Sequence, residues 1–183
     1  MNPAEVKSFR LFILFRRNSM IFKEKLDFQV LKLTDAFYEA YPTPPFTEIL
    51  RKRQRAYDCL FLQTNDDVLV CIPYRSHITH SNAFYFKKSV RSRKSRSGLD
   101  YSKAVIIHNV EYISKENAVI DQDEFIETVE NIDRIRSEMS QFIEGYCNHI
   151  SGKKVLHEKE FKRKYGYSPL KYFHRELNMF FPS

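Results

Sequence analysis

Apolar residues recur in steps of three and four along one stretch of this chain: Phe125, Val129, Ile132, Ile135, Met139, Phe142, Tyr146 and Ile150. At 3.6 residues per turn that spacing puts them all on one face of a helix. The pattern predicts a single long helix over residues 121–150. Asp121 and Glu124 form a capping-box pair at its start, and Gly152 follows its end. A long helix with one apolar stripe must lie on a second layer. The remaining apolar runs are short and partly alternating, so that layer is a sheet.

The strands can be assigned in order. Residues 26–33 alternate imperfectly and read as the first. Residues 57–63 and 68–72 read as a hairpin joined by the polar turn Thr64-Asn65-Asp66-Asp67. Residues 101–107 and 110–113 read as strand with a bend at Asn109, and 118–120 add a short piece. Between them, Thr34-Asp35 caps a short helix through Tyr41, and Thr47 caps another running into Arg55. Near the end, residues 157–164 form a helix closed by Gly166. Ser168-Pro169 then opens a last one through Leu177. The expected class is α+β: a compact, mainly antiparallel sheet with one long and several short helices, as one domain over residues 26–183.

Residues 1–25 are expected to be a dispensable extension. The apolar run Leu11-Phe12-Ile13-Leu14-Phe15 is far short of the about 20 residues a membrane helix needs, and no small-residue cleavage site follows it. An extra helix, a partner-binding tail and sequence upstream of a start at Met20 all fit it. No membrane partner is expected. Cys59, Cys71 and Cys147 show no CxxC spacing, and the first two sit in apolar runs as free thiols do, which suits a reducing cytoplasm.

The chemistry concentrates after residue 72. An apolar run stops at Pro73, and Tyr74-Arg75-Ser76-His77-Ile78-Thr79-His80 follows with a guanidinium, two more hydroxyls on Ser76 and Thr79, and two imidazoles. Residues 87–96 then carry six cations and no acid: Lys87, Lys88, Arg91, Arg93, Lys94 and Arg96. Over residues 87–103 there are seven bases against one acid, whereas 115–144 hold nine acids against three bases, which suggests a basic face opposite an acidic one. With a net charge of +7 and a pI near 9.2, the partner is expected to be a polyanion.

RNA can be cut without a metal, because its 2′-hydroxyl can attack the adjacent phosphorus. The protein must then remove that proton, protonate the leaving 5′-oxygen and stabilise the developing charge. Arg75 suits the charge, His77 or His80 the proton transfers, and Ser76 or Thr79 a phosphate oxygen or the 2′-hydroxyl. Arg51, Lys52, Arg53 and Arg55 form a candidate phosphate clamp, the 87–96 strip a backbone-binding surface, and Lys159, Arg163 and Lys164 a second basic region. Tyr74, Phe84, Tyr85, Phe86 and Tyr101 are candidates for stacking on bases, although most aromatics in such a sheet are core. The plainer alternatives are a polar loop closing a strand and solvated basic surface, or a non-catalytic RNA-binding module. His77-x-x-His80 has no nearby carboxylate or cysteine for a metal, and there is neither a Gly-rich phosphate loop nor a GxSxG elbow, so no metal or cofactor is expected.

Four segments in this order carry a resemblance: Arg55-Ala56-Tyr57-Asp58-Cys59-Leu60; Ile72-Pro73-Tyr74-Arg75-Ser76-His77-Ile78; Ser97-Gly98-Leu99-Asp100-Tyr101-Ser102-Lys103; and Arg163-Lys164-Tyr165-Gly166-Tyr167-Ser168 with Tyr172-Phe173-His174. Across residues 26–177 the chain resembles the toxins of type III toxin–antitoxin systems, the ToxN/AbiQ endoribonuclease superfamily, most of all its TenpN branch. The resemblance implies a core similar to MazF/Kid toxins and metal-independent RNA cleavage leaving 2′,3′-cyclic phosphates. It also implies inhibition by a small pseudoknot-repeat RNA, which the toxin processes and joins in a protein–RNA hetero-oligomer, and a role in abortive phage defence against cellular or phage RNA. It carries Ser76 over directly from a Pro-x-Thr-Ser turn, puts Arg55 in the place of an active-site lysine, and matches Lys103 to the lysine of a Gly-Leu-x-x-x-Lys strand. The chain departs from that pattern at Arg75, where the family has threonine, and at Ile78, where it has lysine. His77 or His80, or a residue from elsewhere, would then supply the missing charge.

Overall fold

The computed structural model describes residues 13–16, 19–22, 28–61 and 69–180, with side chains described for 28–60, 69–116 and 118–177. The dispensability expected of residues 1–25 and the turn expected at 64–67 therefore lie largely or wholly outside the described residues. Two short strands, β1 (Ile13–Arg16) and β2 (Ser19–Phe22), pair with each other antiparallel.

The described remainder is an α+β fold built on a seven-stranded antiparallel sheet, as expected. Its strands are β3 (Phe28–Leu33), β4 (Tyr57–Phe61), β5 (Leu69–Arg75), β6 (Ala83–Tyr85), β7 (Gly98–Asp100), β8 (Val105–Ile107) and β9 (Ile113–Asn117). The order runs β6-β7-β5-β4-β3-β9, with β8 also on β5. The β4–β5 hairpin pairs Tyr57 with Pro73 and Phe61 with Leu69. β5 does not stop at the proline. It pairs β8 through Leu69–Cys71 and β7 through Tyr74 and Arg75, so Pro73, which has no N–H to give, sits in the gap between the two partners. That continuation puts Arg75 on a strand rather than in a loop. Gly98 is required where β7 meets β6, because a Cβ there would lie 2.0 Å from the Phe84 carbonyl oxygen.

The long helix is two. α3 (Gln122–Glu130) and α4 (Ile132–Ile150) break at Asn131, whose backbone leaves the helical region at φ −121°, ψ 15° while its side chain donates to the Glu127 carbonyl at 2.8 Å. Of the expected stripe, Ile135, Met139, Phe142 and Tyr146 are buried, joined by Ile143, whereas Val129 on α3 and Ile150 at the end of α4 are exposed. Gly152 at φ 75° follows the end. The capping box is not made. Asp121 caps nothing with its side chain, and Glu124 is drawn elsewhere.

α1 (Asp35–Ala40) follows β3, and α2 (Val90–Ser95) occupies the basic strip, which is therefore helical rather than a loop. The helix expected over residues 47–55 does not form, because the Arg51 guanidinium turns inward onto the carbonyls of Tyr38, Tyr41 and Phe46. Residues 101–103 and 110–112 are 3₁₀ turns rather than strand, the second capped by Asn109. The chain closes with α5 (Glu158–Tyr165), a 3₁₀ turn at Pro169–Tyr172 that Ser168 caps, and α6 (His174–Phe180). Leu170, Phe173 and Leu177 bury this end into the core. No helix among the described residues is long and apolar enough to cross a membrane.

Cys59 and Cys71, cross-strand partners in β4 and β5, form a disulfide, and Cys147 is free. The free-thiol expectation for the pair is corrected, and with it goes the argument for a reducing compartment. Beside them Asp58 is fully buried and neither carboxylate oxygen has a hydrogen-bond partner. Burial pushes its pKa well above the ordinary carboxylate value, against the pull of Arg136. A raised folded-state pKa stabilises below the unfolded value and loses that contribution as pH rises through the folded value. Asp58→Leu should therefore flatten the decline of the melting midpoint from acid toward neutral pH. An unchanged slope would show that Asp58 ionises freely.

Candidate active site

β5, β7 and the turn after β5 converge on Asp100. Its side chain is fully buried, at 0% exposure, and accepts from the Ser102 backbone N–H at 3.0 Å and the Ser102 hydroxyl at 2.7 Å. Arg75 donates to its other oxygen in a close ion pair, and His80 Nε2 lies 3.5 Å away. Burial raises the Asp100 pKa, but the hydrogen bonds from His80 and Ser102 and the charges of His80 and Arg75 outweigh it and hold the carboxylate below its ordinary value. Asp100 is thus an anion that fixes its neighbours, not a proton donor.

Two further cations interact with this anion. Arg55 donates to the Tyr74 carbonyl at 2.9 Å and keeps its buried Nε without a partner. Burial lowers its pKa, and the Arg75 charge adds to that against the pull of Tyr57, Tyr38 and Asp100. Among the described residues Lys103 donates to the carbonyls of Glu48 at 3.3 Å and Tyr167 at 2.5 Å, which uses two of its three N–H donors. Burial lowers its pKa first, opposed by Asp100 and assisted by Arg75. Three cations and an imidazole around one carboxylate leave positive charge in excess. Such a site favours a further anion.

Ser102 Oγ lies 3.2 Å from His80 Nε2, which invites comparison with a Ser–His–Asp relay. The geometry excludes one, because serine and aspartate meet the same imidazole nitrogen while the buried Nδ1 has no partner. A relay needs both nitrogens engaged, each by a different group. The Tyr85 hydroxyl donates to the His80 carbonyl and holds the backbone beneath the ring.

Of the six residues expected to act in catalysis, the structure gathers Arg55, Arg75, His80 and Lys103. Ser76 and His77 lie in the turn between Arg75 and His80. His77 is exposed at φ 58°, and no described hydrogen bond or ion pair reaches Asp100 from either residue. Asp100 escaped the sequence reading, although it is the one acid among the bases of residues 87–103.

The basic surfaces are redistributed. α3 does not face away from the basic strip but clamps it. Buried Glu124 accepts from Ser97 Oγ at 2.7 Å and from two nitrogens of Arg91. Glu127 accepts from the backbone N–H groups of Lys87 at 2.7 Å and Lys88 at 3.0 Å, and Glu130 pairs with the Lys88 ammonium at 2.7 Å. The expected basic face opposite an acidic one is instead a contact, in which Lys88 and Arg91 are partnered. Arg93, Lys94 and Arg96 remain exposed without a described carboxylate partner. In the expected phosphate clamp, Arg51 is committed to carbonyls and Arg53 pairs with Asp35, which leaves Lys52 exposed. On α5, Lys159 and Arg163 are exposed, and Lys164 lies 5.2 Å from the Tyr165 ring centre.

The aromatic candidates are mostly core. Tyr74 stacks on Phe86 with its hydroxyl 3.0 Å from Thr128, and Phe84 and Tyr101 are buried, so none of these offers a face to a base. Tyr85 is partly exposed, with the Arg96 guanidinium 4.6 Å from its ring centre. Among the described residues there is no group of three or more His, Cys, Asp or Glu placed to hold a metal ion. No protein-family model, curated protein or solved structure matches this chain.

Proposed function

We propose that this chain is a metal-independent endoribonuclease toxin, held in check by a small repeat RNA that it processes. The observation that carries the reading is the cluster on Asp100, an excess of cations suited to a phosphate with an imidazole fixed beside them. His80 would exchange the proton of the 2′-hydroxyl or the leaving oxygen. Arg75, Arg55 and the third donor of Lys103 would stabilise the charge developing on phosphorus. Ser76 adjoins Arg75 and would position the scissile group. The ordered four-segment resemblance to type III toxins supports the same reading, including a pseudoknot antitoxin, a protein–RNA assembly, sequence-specific cutting of cellular or phage RNA, and a role in abortive infection.

The test is direct. The purified chain, incubated with RNA with and without EDTA, should produce new ends bearing 2′,3′-cyclic phosphates in both. The tethering of Lys103 to two carbonyls favours a second reading, a non-catalytic RNA-binding module. That reading predicts binding with no new ends.

Binding should follow the free cations rather than the clamped ones. Charge reversal at Arg93 and Lys94, or at Lys159 and Arg163, should weaken RNA binding. For every phosphate no longer neutralised, the log–log salt slope should fall by about 0.7–0.9, depending on whether the RNA is single- or double-stranded. Reversal at Arg91 should chiefly destabilise the fold, because it would put a like charge against buried Glu124. Equal slopes in wild type and both surface variants would make those strips ordinary solvated surface.

A further inference from the structure

The turn that carries Arg75 and His80 at its ends has a second side. Its His77–Thr79 segment forms one wall of an open depression of about 310 Å³, and residues 92–96 form the other. Both non-glycine residues with positive φ among the described residues, His77 at 58° and Arg96 at 43°, stand in these walls. Such backbone is uncommon for a residue with a Cβ and persists where its surroundings over-determine it. Two backbone bonds do that here: His77 N–H to the Ser95 carbonyl at 2.6 Å and Ile78 N–H to the Arg96 carbonyl at 3.3 Å. The walls are thus tied to each other, and through the turn to the Asp100 cluster.

The lining has three cations, Arg93, Lys94 and Arg96, and no carboxylate. Ser92 and Ser95 donate their hydroxyls to backbone carbonyls at 2.8 and 3.1 Å, which leaves their lone pairs free to accept. Thr79 is exposed. The volume falls at the lower end of small-molecule pockets, about 300 Å³ and upward, and exceeds what a bare phosphate fills. The surface this space presents is mostly carbon, which suits the flat face of a ring, while the nearby cations suit an anionic group carried by the same ligand.

We propose that this depression is a nucleotide subsite. It takes the base and phosphate of a single-stranded RNA nucleotide adjoining the one cut at the Asp100 cluster, with Arg93 and Arg96 on the phosphate. The assignment rests on the RNA reading above. Isothermal titration of the full chain with the four nucleoside 3′-monophosphates and with inorganic phosphate tests it. At least one nucleotide should bind about tenfold or more tightly than phosphate. Thr79→Trp fills the space from an exposed position and should abolish that preference, while Thr79→Ser should keep it. Arg93→Gln, at an exposed helix position, should weaken nucleotide and phosphate alike. In RNA cleavage, Thr79→Trp should raise KM with little change in kcat and alter the preferred base beside the cut.

A Thr79→Trp protein that binds nucleotides as the wild type does overturns the subsite, even where RNA is cut normally. So does equal binding of nucleotides and inorganic phosphate. A preference that Thr79→Trp removes, in a chain that cuts no RNA, keeps the subsite and defeats the nuclease reading.

Discussion

His80→Ala should lower the single-turnover rate of RNA cleavage by about 10²–10⁴-fold, the usual cost of removing a positioned acid or base. The fold should survive it, because Asp100 keeps Arg75 and both bonds from Ser102. Arg75→Lys is the companion experiment. It preserves the charge but loses the planar fork that spans a carboxylate and a phosphate together, so it should lower kcat more than it raises KM. Ser76→Ala should also lose activity through misplacement of the scissile group. His77→Ala should have a smaller effect than His80→Ala, because no described contact joins His77 to Asp100. The pH–rate profile separates a chemical role from a structural one. If His80 transfers a proton, the His80→Ala profile should lose one limb, whereas a merely destabilised protein would keep its shape at lower amplitude. Wild-type rates in both His80→Ala and Arg75→Lys would remove the Asp100 cluster from the reaction.

How far these residues could be placed from sequence differs from one to the next, and the reasons are physical. The β4–β5 hairpin and the α4 stripe were readable because each is a local period, two for a strand and 3.6 for a helix. The break at Asn131 was not, because Ile132 resumes the apolar spacing and periodicity is blind to one residue leaving helical φ and ψ. The absent helix before β4 turns on Arg51, whose contacts to Tyr38 and Tyr41 lie 13 and 10 residues away in sequence. The Cys59–Cys71 pairing depended on strand register, which spacing alone does not supply. The 87–96 strip looked like free phosphate-binding surface because its clamp lies about 33 to 42 residues further along, on α3. Within the site, Arg75 and His80 stood out as residue types. Asp100 did not, since its importance comes from burial at the end of β7, which composition does not show.

Asp100→Ala should be the most destabilising change in the site, at about 3–5 kcal/mol, because it leaves Arg75 half-buried without its counter-charge. Asp100→Asn should cost less. The amide oxygen can still accept from Ser102, while the ion pair with Arg75 is lost. The acid limb of the stability curve gives an independent reading. The folded-state pKa of Asp100 lies below the ordinary aspartate value, so its contribution is fully present above that ordinary value and is lost as pH falls through the lower folded one. Wild type should therefore lose stability below about pH 4, and the alanine variant should show a shallower loss over the same range. Urea denaturation near neutrality and in acid measures both quantities. An Asp100→Ala protein as stable as wild type, with the same acid limb, would mean that the carboxylate does not organise Arg75 and His80. Their convergence would then be coincidental, and the cluster would have no preorganised field to offer a phosphate. The opposite result, large destabilisation with an altered acid limb, would establish Asp100 as the fixed charge against which the cations and the imidazole are positioned.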